Sequence, residues 1–292
     1  MNVTIGINPI TWSNDDMQNV GADISFETCL REASAAGYDG VELGHKFPRD
    51  PNILRPKLEK YSLSLVSGWY SGQLLRRDSN EEIAAMQNHM KLLKAMGSDV
   101  LIFAEVSGCI HSDAGIRLSQ RPRIPADQWP NFCRRLDEVA KACSAEGLKL
   151  SFHHHMGTVI QSREDIEIMM QSTSTDMHLL LDSGHAYFAG ADPVELATQY
   201  ADRIAHVHCK DIRENVLRRM RNRDSSFLDA VLAGVFTVPG DGCINYDGIF
   251  DALRKQDYSG WVVVEAEQDP SVAPPNQFAK LGFDNLKRLT AS

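Results

Sequence analysis

The regular alternation of short apolar runs with amphipathic segments is the feature that most restricts the folds open to this chain. Eight apolar runs of strand length each precede a segment whose apolar residues recur at helical spacing. This order predicts a parallel sheet, because each helix returns the chain to the same edge of the sheet. The predicted strands are residues 3–7, 41–43, 63–67, 100–104, 148–153, 178–181, 204–208 and 261–265. The predicted helices are residues 25–35, 52–61, 81–96, 129–146, 163–171, 193–200, 246–255 and 277–289.

The number of strand–helix units and the chain length predict a closed (β/α)₈ barrel, the TIM barrel. Eight units within 292 residues match this fold. An open doubly wound sheet is the alternative, but no GxGxxG motif follows the first predicted strand. We therefore predict one domain over residues 1–292, with an insertion at about 212–242 after the seventh strand.

Composition excludes several classes of function. The net charge of −9 argues against a nucleic-acid partner, which requires a basic surface. None of the six cysteines forms a CxxC pair, which is typical of reduced thiols in a cytoplasmic protein. No apolar stretch approaches the ~20 residues of a membrane span, and the first residues do not resemble a signal peptide. We expect a cytoplasmic protein with no membrane partner.

Polar groups that end the apolar runs indicate where a site would form. In a barrel of parallel strands, the C-terminal strand ends form the active face. Asp182, His208 and Glu265 each end such a run, and the fifth strand ends in three histidines, 153–155. Side chains alternate along a strand, so His153 and His155 face the barrel axis and His154 points away. Four separate strand ends can thus contribute to one site.

These groups predict a divalent metal site. A buried carboxylate is costly unless it is paired or bound to a metal, although Asp182 could instead cap a helix. Mixed imidazole and carboxylate ligands favour Mn²⁺, Co²⁺ or Fe²⁺, with Zn²⁺ as an alternative and Mg²⁺ less favoured. The predicted ligands are His153, Asp182, His208 and Glu265, and Glu267 is an outer carboxylate or a charge on the rim.

Other polar residues near the strand ends are candidates for catalysis and substrate binding. His185 follows Asp182 by about one turn and is our first choice of general base, with a histidine of the 153–155 run, His155 among them, as the second. Lys210 is predicted at the barrel mouth beside a substrate oxygen, as a proton donor. The candidates for substrate binding are Asn8, Trp12, Trp69 and Glu105, with Arg213 from the insertion. Capping, loop packing or solvation on the rim is the alternative for each of them.

An arginine cluster lies within the predicted insertion. Its members are Arg218, Arg219, Arg221 and Arg223. Such a cluster in an acidic protein predicts either a solvated or subunit-facing helix or an anion clamp. The segment is therefore a candidate interface for a homo-oligomer.

Several of these motifs resemble a known group of barrels. The stretches 182–185 (Asp-Ser-Gly-His) and 206–211 (His-Val-His-Cys-Lys-Asp), together with Glu265, resemble the xylose-isomerase-like barrel superfamily. The runs 6–15, 153–158 and 236–242 resemble, within it, the inosose dehydratase family of myo-inositol catabolism. The resemblance extends over nearly the whole chain. That superfamily usually has glutamate at the position of His153, so His155 stays an alternative ligand.

The resemblance implies an activity and cofactors. It implies the dehydration of 2-keto-myo-inositol (scyllo-inosose) to 3,5/4-trihydroxycyclohexane-1,2-dione, by loss of an α-proton and then of the β-hydroxyl. It further implies Mn²⁺ or Co²⁺ and glutathione as an aid. A polyol ketone would be the small-molecule partner. The alternatives are a ketose or inosose isomerase or epimerase, a metal phosphodiesterase acting on DNA, and a sugar-binding barrel without catalysis.

Overall fold

Most of the predicted elements form near their predicted positions in the computed structural model, which describes residues 1–291. The strands are β1 (Asn2–Ile7), β2 (Gly40–Val41), β3 (Ser64–Leu65), β4 (Trp69–Gly72), β5 (Val100–Glu105), β6 (Lys149–His153), β7 (Met177–Asp182), β8 (Ile204–Cys209), β9 (Asp211–Ile212), β10 (Phe236–Thr237) and β11 (Ser259–Val264). The helices are α1 (Phe26–Ala36), α2 (Pro51–Glu59), α3 (Ser79–Met96), α4 (Trp129–Ala145), α5 (Arg163–Gln171), α6 (Ser183–Ala189), α7 (Pro193–Tyr200), α8 (Glu214–Arg223), α9 (Phe227–Leu232), α10 (Tyr246–Lys255) and α11 (Pro275–Thr290).

Within the described residues, nine strands form one sheet in the order β3-β2-β1-β11-β8-β7-β6-β5-β4. Every pairing between them is parallel. The two edge strands, β3 and β4, are consecutive in the chain and correspond to the third barrel strand, which is interrupted at residues 66–68. The backbone N–H of Val66 donates to the carbonyl of Val41 on one side, and that of Ile102 donates to the carbonyl of Gly68 on the other. The sheet therefore closes, and the predicted (β/α)₈ barrel is confirmed.

Alternation along the strands separates two apolar layers. Leu101 and Phe152 belong to the large core between the sheet and the helices, as their parity predicts. Ile102 and Leu180 form a small separate cluster together with Val100. These residues have the opposite parity and fill the barrel interior beneath the strand ends.

Local sequence signals fix the helix ends. Asp78 caps α3 and forms a capping box with Glu81, in which each side chain accepts a backbone N–H of the other residue. The helix ends at Gly97, which has φ 83°. Helix α6 begins directly after Asp182, which the sequence indicated as a helix cap in one of two interpretations, although this helix is not among the predicted elements. No helix among residues 1–291 is both long enough and apolar enough to cross a membrane.

The segment predicted as an insertion forms a small unit of its own. Strands β9 and β10 pair antiparallel and enclose helices α8 and α9, neither of which was predicted as a bounded element. Leu217, Phe227 and Phe236 pack in an apolar cluster separate from the main core. This cluster also includes Met156 and Phe188, which follow barrel strands. The unit therefore covers one side of the barrel mouth.

Candidate metal centre at the barrel mouth

The four predicted ligands converge at the C-terminal ends of their strands. His153, Asp182, His208 and Glu265 are all buried, and their ligand atoms lie within 4.8 Å of one another. Asp182 Oδ2 is 3.5 Å from both His153 Nε2 and His208 Nδ1. Glu265 Oε2 is 3.2 Å from His208 Nδ1. The structure thus brings together side chains from four places in the sequence, as the strand-end pattern predicts.

The two oxygens of Asp182 have separate roles. Oδ1 accepts the backbone N–H of His185 at 2.7 Å and caps α6. Oδ2 has no hydrogen-bond partner and faces the four-residue cluster. The two interpretations drawn from the sequence, helix cap and metal ligand, are therefore compatible in one side chain.

Hydrogen bonds orient the two imidazoles of the cluster. His153 Nδ1 donates to the carbonyl of His154 at 2.7 Å, which leaves the lone pair of Nε2 facing Asp182. His208 Nε2 donates to Glu42 Oε1 at 3.1 Å, which leaves Nδ1 facing Asp182 and Glu265. This orientation suits a metal ligand, because an acceptor holds the outer nitrogen of each ring while the inner nitrogen faces the carboxylates. Burial alone would lower the pKa of His208, but the charges of Glu42 and Glu265 raise this pKa well above its ordinary value, so a metal ion would displace a proton from Nδ1.

Glu42 is the acceptor that holds this arrangement. Its Oε1 also accepts from His206 Nε2 at 2.8 Å and from Ser67 Oγ at 2.7 Å, while its Oε2 accepts from Asn8 Nδ2 at 2.7 Å. Burial alone would raise the pKa of Glu42, but the charge of His208 and the hydrogen bonds from His206 and His208 hold this pKa well below its ordinary value. Glu42 is therefore ionised and supports His208 from behind.

The cluster fits a divalent metal ion. Asp182 Oδ2 and His208 Nδ1 are buried and lack a hydrogen-bond partner, and Glu265 Oε2, 3.2 Å from His208 Nδ1, has only the ammonium of Lys210 at 3.1 Å as a partner. An unpaired buried polar group costs about 1–3 kcal/mol, more when it is charged, so groups that converge in this way require a shared partner. A cation ligated by two imidazoles and two carboxylates would satisfy them. This donor set suits Mn²⁺, Co²⁺, Fe²⁺ and Zn²⁺ better than Mg²⁺.

A cavity of about 260 Å³ opens beside the cluster. Of the predicted substrate residues, Asn8 and Trp69 line it. The Trp69 ring packs edge-on against the rings of His153 and His155, at centroid distances of 5.2 and 5.7 Å. His155 also lines the cavity, and its Nδ1 donates to the carbonyl of Met156 at 2.8 Å. A small polar ring compound placed there would meet the indole of Trp69 and the imidazole of His155.

Two predicted substrate residues lie away from this cavity. Trp12 is buried in the main core, and its indole N–H donates to Glu32 at 2.7 Å. Glu105 is also buried, and its oxygens accept the backbone N–H groups of Leu74 and Ser107 at 2.6 and 3.0 Å. Both polar groups are already satisfied by loop and helix partners. The structure therefore gives them structural roles in place of the predicted substrate contacts.

Arg213 does not reach the cavity either. Its guanidinium donates to the carbonyl of Gly234 at 3.0 Å and to Asp241 at 2.6 Å. Both partners belong to the insertion, so Arg213 stabilises the insertion internally. In the arginine cluster, Arg221 donates to the carbonyls of Tyr187 and Phe188 at 3.0 and 2.6 Å, and all four arginines are exposed. The cluster lies on an exposed helix face of the single chain, which leaves its prediction as a solvated or subunit-facing helix open, and none of its members lines this cavity.

His185 and Lys210 lie behind the cavity wall. Lys210 is fully buried, which differs from the predicted position at the mouth. Its Nζ is 3.0 Å from His185 Nε2, 3.1 Å from Glu265 Oε2 and 3.3 Å from Glu267 Oε2. The centroid of the His185 ring lies 3.9 Å from that of His155, with the two rings tilted by 41°, and burial lowers the pKa of His185 well below the ordinary value. His155 therefore separates His185 from the cavity.

Some groups that line the cavity were not singled out as site residues from the sequence. Asp16 and His111 come from the loops after β1 and β5, and their side chains are 3.6 Å apart. Long loops have no periodicity, so the sequence carries no signal for this pair. Glu267 also lines the cavity, and its Oε1 accepts from Asn14 Nδ2 at 3.3 Å. Burial raises the pKa of Glu267 to about 7. From the sequence, Glu267 was expected only as an outer carboxylate or a charge on the rim, and the structure buries it against the cavity.

Comparison with known proteins gives consistent similarities. Residues 30–289 match the family described as xylose isomerase-like TIM barrel. The "Rhizopine catabolism protein MocC" of Rhizobium meliloti is 45% identical over 292 residues, which cover 100% of this chain and 90% of that protein. An "Inosose dehydratase" of Glaesserella parasuis serovar 5 (strain SH0165) is 40% identical over 291 residues, 99% of this chain and 98% of that protein.

A solved structure has the same fold at much lower identity. The crystal structure of the IOLI protein with a binding zinc atom superposes with a TM-score of 0.66 at 17% sequence identity. The superposition covers 99% of this chain and 96% of that one. At this identity the similarity demonstrates the fold alone.

Proposed function

The chain belongs to the xylose isomerase-like TIM barrel family and, within it, to the inosose dehydratases, and we propose that it dehydrates 2-keto-myo-inositol with the help of a divalent metal. The product would be 3,5/4-trihydroxycyclohexane-1,2-dione. One observation carries the proposal of metal dependence. The buried ligand atoms of Asp182, His208 and Glu265 converge beside a cavity that is lined by further groups able to carry a proton.

A metal held by His153, Asp182, His208 and Glu265 would supply Lewis acidity, which makes the proton next to the substrate ketone easier to remove. The donor set supports Mn²⁺ or Co²⁺ as the cofactor, with Zn²⁺ as the alternative. Glu42 supports His208, and the cap on α6 fixes Asp182. The ligands are thus held in place before substrate enters, which is what an efficient site requires.

We assign the base to His155. Its Nδ1 is engaged by the carbonyl of Met156, so Nε2 keeps a lone pair, and the ring borders the cavity. Burial, assisted by the neighbouring histidines, lowers the pKa of His155 well below its ordinary value, so the ring is neutral at pH 7. His185, our first choice from the sequence, has Nδ1 facing the N–H of Met156 and Nε2 facing Lys210. His185 holds Met156 and Lys210 in place and does not line the cavity.

Loss of the β-hydroxyl requires a proton donor on the cavity side. Lys210 Nζ is held by Glu265, Glu267 and His185 and does not line the cavity. The carboxyl group of Glu267 does line it and lies beside this ammonium. We assign the protonation of the leaving hydroxyl to Glu267. The insertion shields this chemistry from water, because the ring of Phe227 packs 5.1 Å from that of His155.

The test is metal content coupled to turnover. Purified protein is analysed for metals, stripped with a chelator and assayed with 2-keto-myo-inositol for the appearance of dione absorbance. We expect stripping to abolish turnover and Mn²⁺ or Co²⁺ to restore it. Full turnover by the stripped protein would contradict the metal role. An exchange of the α-proton with solvent deuterium without loss of water would instead support an isomerase or epimerase. Omitting and adding glutathione in the same assay tests its role as an aid.

A second candidate is a role in rhizopine catabolism. The observation that favours it is the identity of 45% to MocC, compared with 40% to the inosose dehydratase of Glaesserella parasuis. Complementation separates the two functions. The gene is introduced into a strain lacking inosose dehydratase and into Rhizobium meliloti lacking MocC, and growth is scored on myo-inositol and on a rhizopine. Rescue only of the second strain would favour the rhizopine role.

A further inference from the structure

A second group of metal-ligand side chains lies next to the first. His155, His185 and Glu267 are buried, and their ligand atoms lie within 4.8 Å of one another. The ammonium of Lys210 lies at this group, 3.0 Å from His185 Nε2 and 3.3 Å from Glu267 Oε2. We propose that Lys210 is a tethered cation in the position of a second metal ion, so that each chain binds one divalent metal. This inference rests on the proposed metal dependence.

One carboxylate faces both cation positions. Glu265 Oε2 is 3.2 Å from His208 Nδ1 in the four-residue cluster and 3.1 Å from Lys210 Nζ. Two-metal sites hold their ions about 3.5–4 Å apart, so an acceptor that faces both positions is the feature that such a site needs. Here one of the two positions is occupied by a side chain.

The side chain of Lys210 is packed tightly behind the cavity. Its stem passes over Gly184, where an added Cβ would lie only 2.5 Å from Lys210 Cγ and 2.8 Å from Cδ. Its Nζ also lies 4.5 Å from the ring centroid of Phe236, within range of a cation–π contact. A glycine below and an aromatic ring from the insertion thus define a channel for a fully buried lysine.

Charge balance favours one metal ion together with the ammonium. Asp182, Glu265 and Glu267 are the carboxylates that face the two positions. A divalent ion and one ammonium balance these three carboxylates in the state in which Glu267 is ionised, which it reaches when it gives its proton to the leaving hydroxyl. Removal of the ammonium leaves Glu265 and Glu267 without their buried partner, which is costly in a site of low dielectric constant. A second divalent ion would satisfy them.

The experiment counts bound metal. The wild type, Lys210→Ala and Lys210→Leu are dialysed against Mn²⁺ and analysed for bound metal per chain. The alanine variant has room for an ion, whereas leucine removes the charge but fills the space with an apolar side chain. We expect one equivalent for the wild type, two for Lys210→Ala and one for Lys210→Leu. Adding His185→Ala to Lys210→Ala should return the count to one.

The outcomes separate this inference from the proposed function. A wild type without metal would contradict the metal dependence itself. A wild type with one equivalent and a Lys210→Ala variant with one or none would overturn only the role of Lys210, as would two equivalents in the wild type. A Lys210→Ala variant that folds only with two equivalents of Mn²⁺ would support the role. If it does not fold even then, a metal does not replace the ammonium and the inference is wrong.

Discussion

Glu42 Oε1 lies 3.1 Å from Nε2 of His208, on the side of the imidazole opposite to the nitrogen that faces Asp182 and Glu265. A carboxylate behind a ligating histidine fixes the tautomer and raises the basicity of the inner nitrogen. The orientation of one proposed ligand thus depends on a residue from the second barrel strand.

Glu42→Gln should weaken metal binding by about 10–100-fold, the usual effect of losing such an outer partner. The amide keeps the shape but loses the charge that His206 and His208 share. Titration calorimetry with Mn²⁺ measures the change. Glu82→Gln is the matched control, because Glu82 is also a buried carboxylate but binds Tyr70 and Arg77. Equal affinity in the wild type and Glu42→Gln would contradict the supporting role.

Asp182 variants should separate the helix cap from the metal ligand. Both Asp182→Asn and Asp182→Ala should lose metal, because each removes the carboxylate charge. Asparagine still accepts the backbone N–H of His185, whereas alanine does not. In chelator-treated protein, we expect Asp182→Ala to be less stable than Asp182→Asn by about 1 kcal/mol. Urea unfolding measures this difference in the free energy of unfolding. Equal stabilities of the two variants would contradict a stabilising helix cap at Asp182.

His155→Gln should keep metal and lose turnover by about 10²–10⁴-fold, the contribution of a positioned base. His185→Gln should lose less, because its ring lies behind that of His155 and contacts Lys210. The rate of α-proton exchange with deuterated solvent measures the base directly. A larger decrease in the rate of α-proton exchange in His185→Gln than in His155→Gln would contradict this assignment and indicate His185 as the base.

His89 should make folding sensitive to acid outside the site. Burial lowers its pKa below the ordinary value, with the charge of Arg49 adding to this and a hydrogen bond to the carbonyl of Gly68 opposing it. The unfolded chain then binds more protons than the folded chain as the pH falls below about 6.5, so stability decreases there. Urea unfolding between pH 5 and 8 should show a flatter curve for His89→Gln than for the wild type. Parallel curves would count against this linkage.

The sequence predicted the barrel and the convergence of His153, Asp182, His208 and Glu265, because both follow from spacing along single strands. It did not predict the interrupted third strand or helix α9, and it offered helices at the positions of α6 and α8 only as alternatives, through the cap at Asp182 and the arginine cluster. The substrate residues were predicted less well, because Trp12 and Glu105 are satisfied by partners that strand spacing does not reveal. The general rule that polar strand ends face the site does not show which of them are already paired.

The sequence by itself determined which side chains stand at the strand ends, since alternation in a strand is a property of the local backbone. Only the tertiary structure decided which nitrogen of His208 is free, because its partner Glu42 lies 166 residues away in the chain. The same holds for Lys210, whose burial depends on the space above Gly184 and on the ring of Phe236 from the insertion. Hydrogen bonds and packing between distant segments set the charge and orientation of these side chains. The spacing of residues along one segment does not predict such contacts.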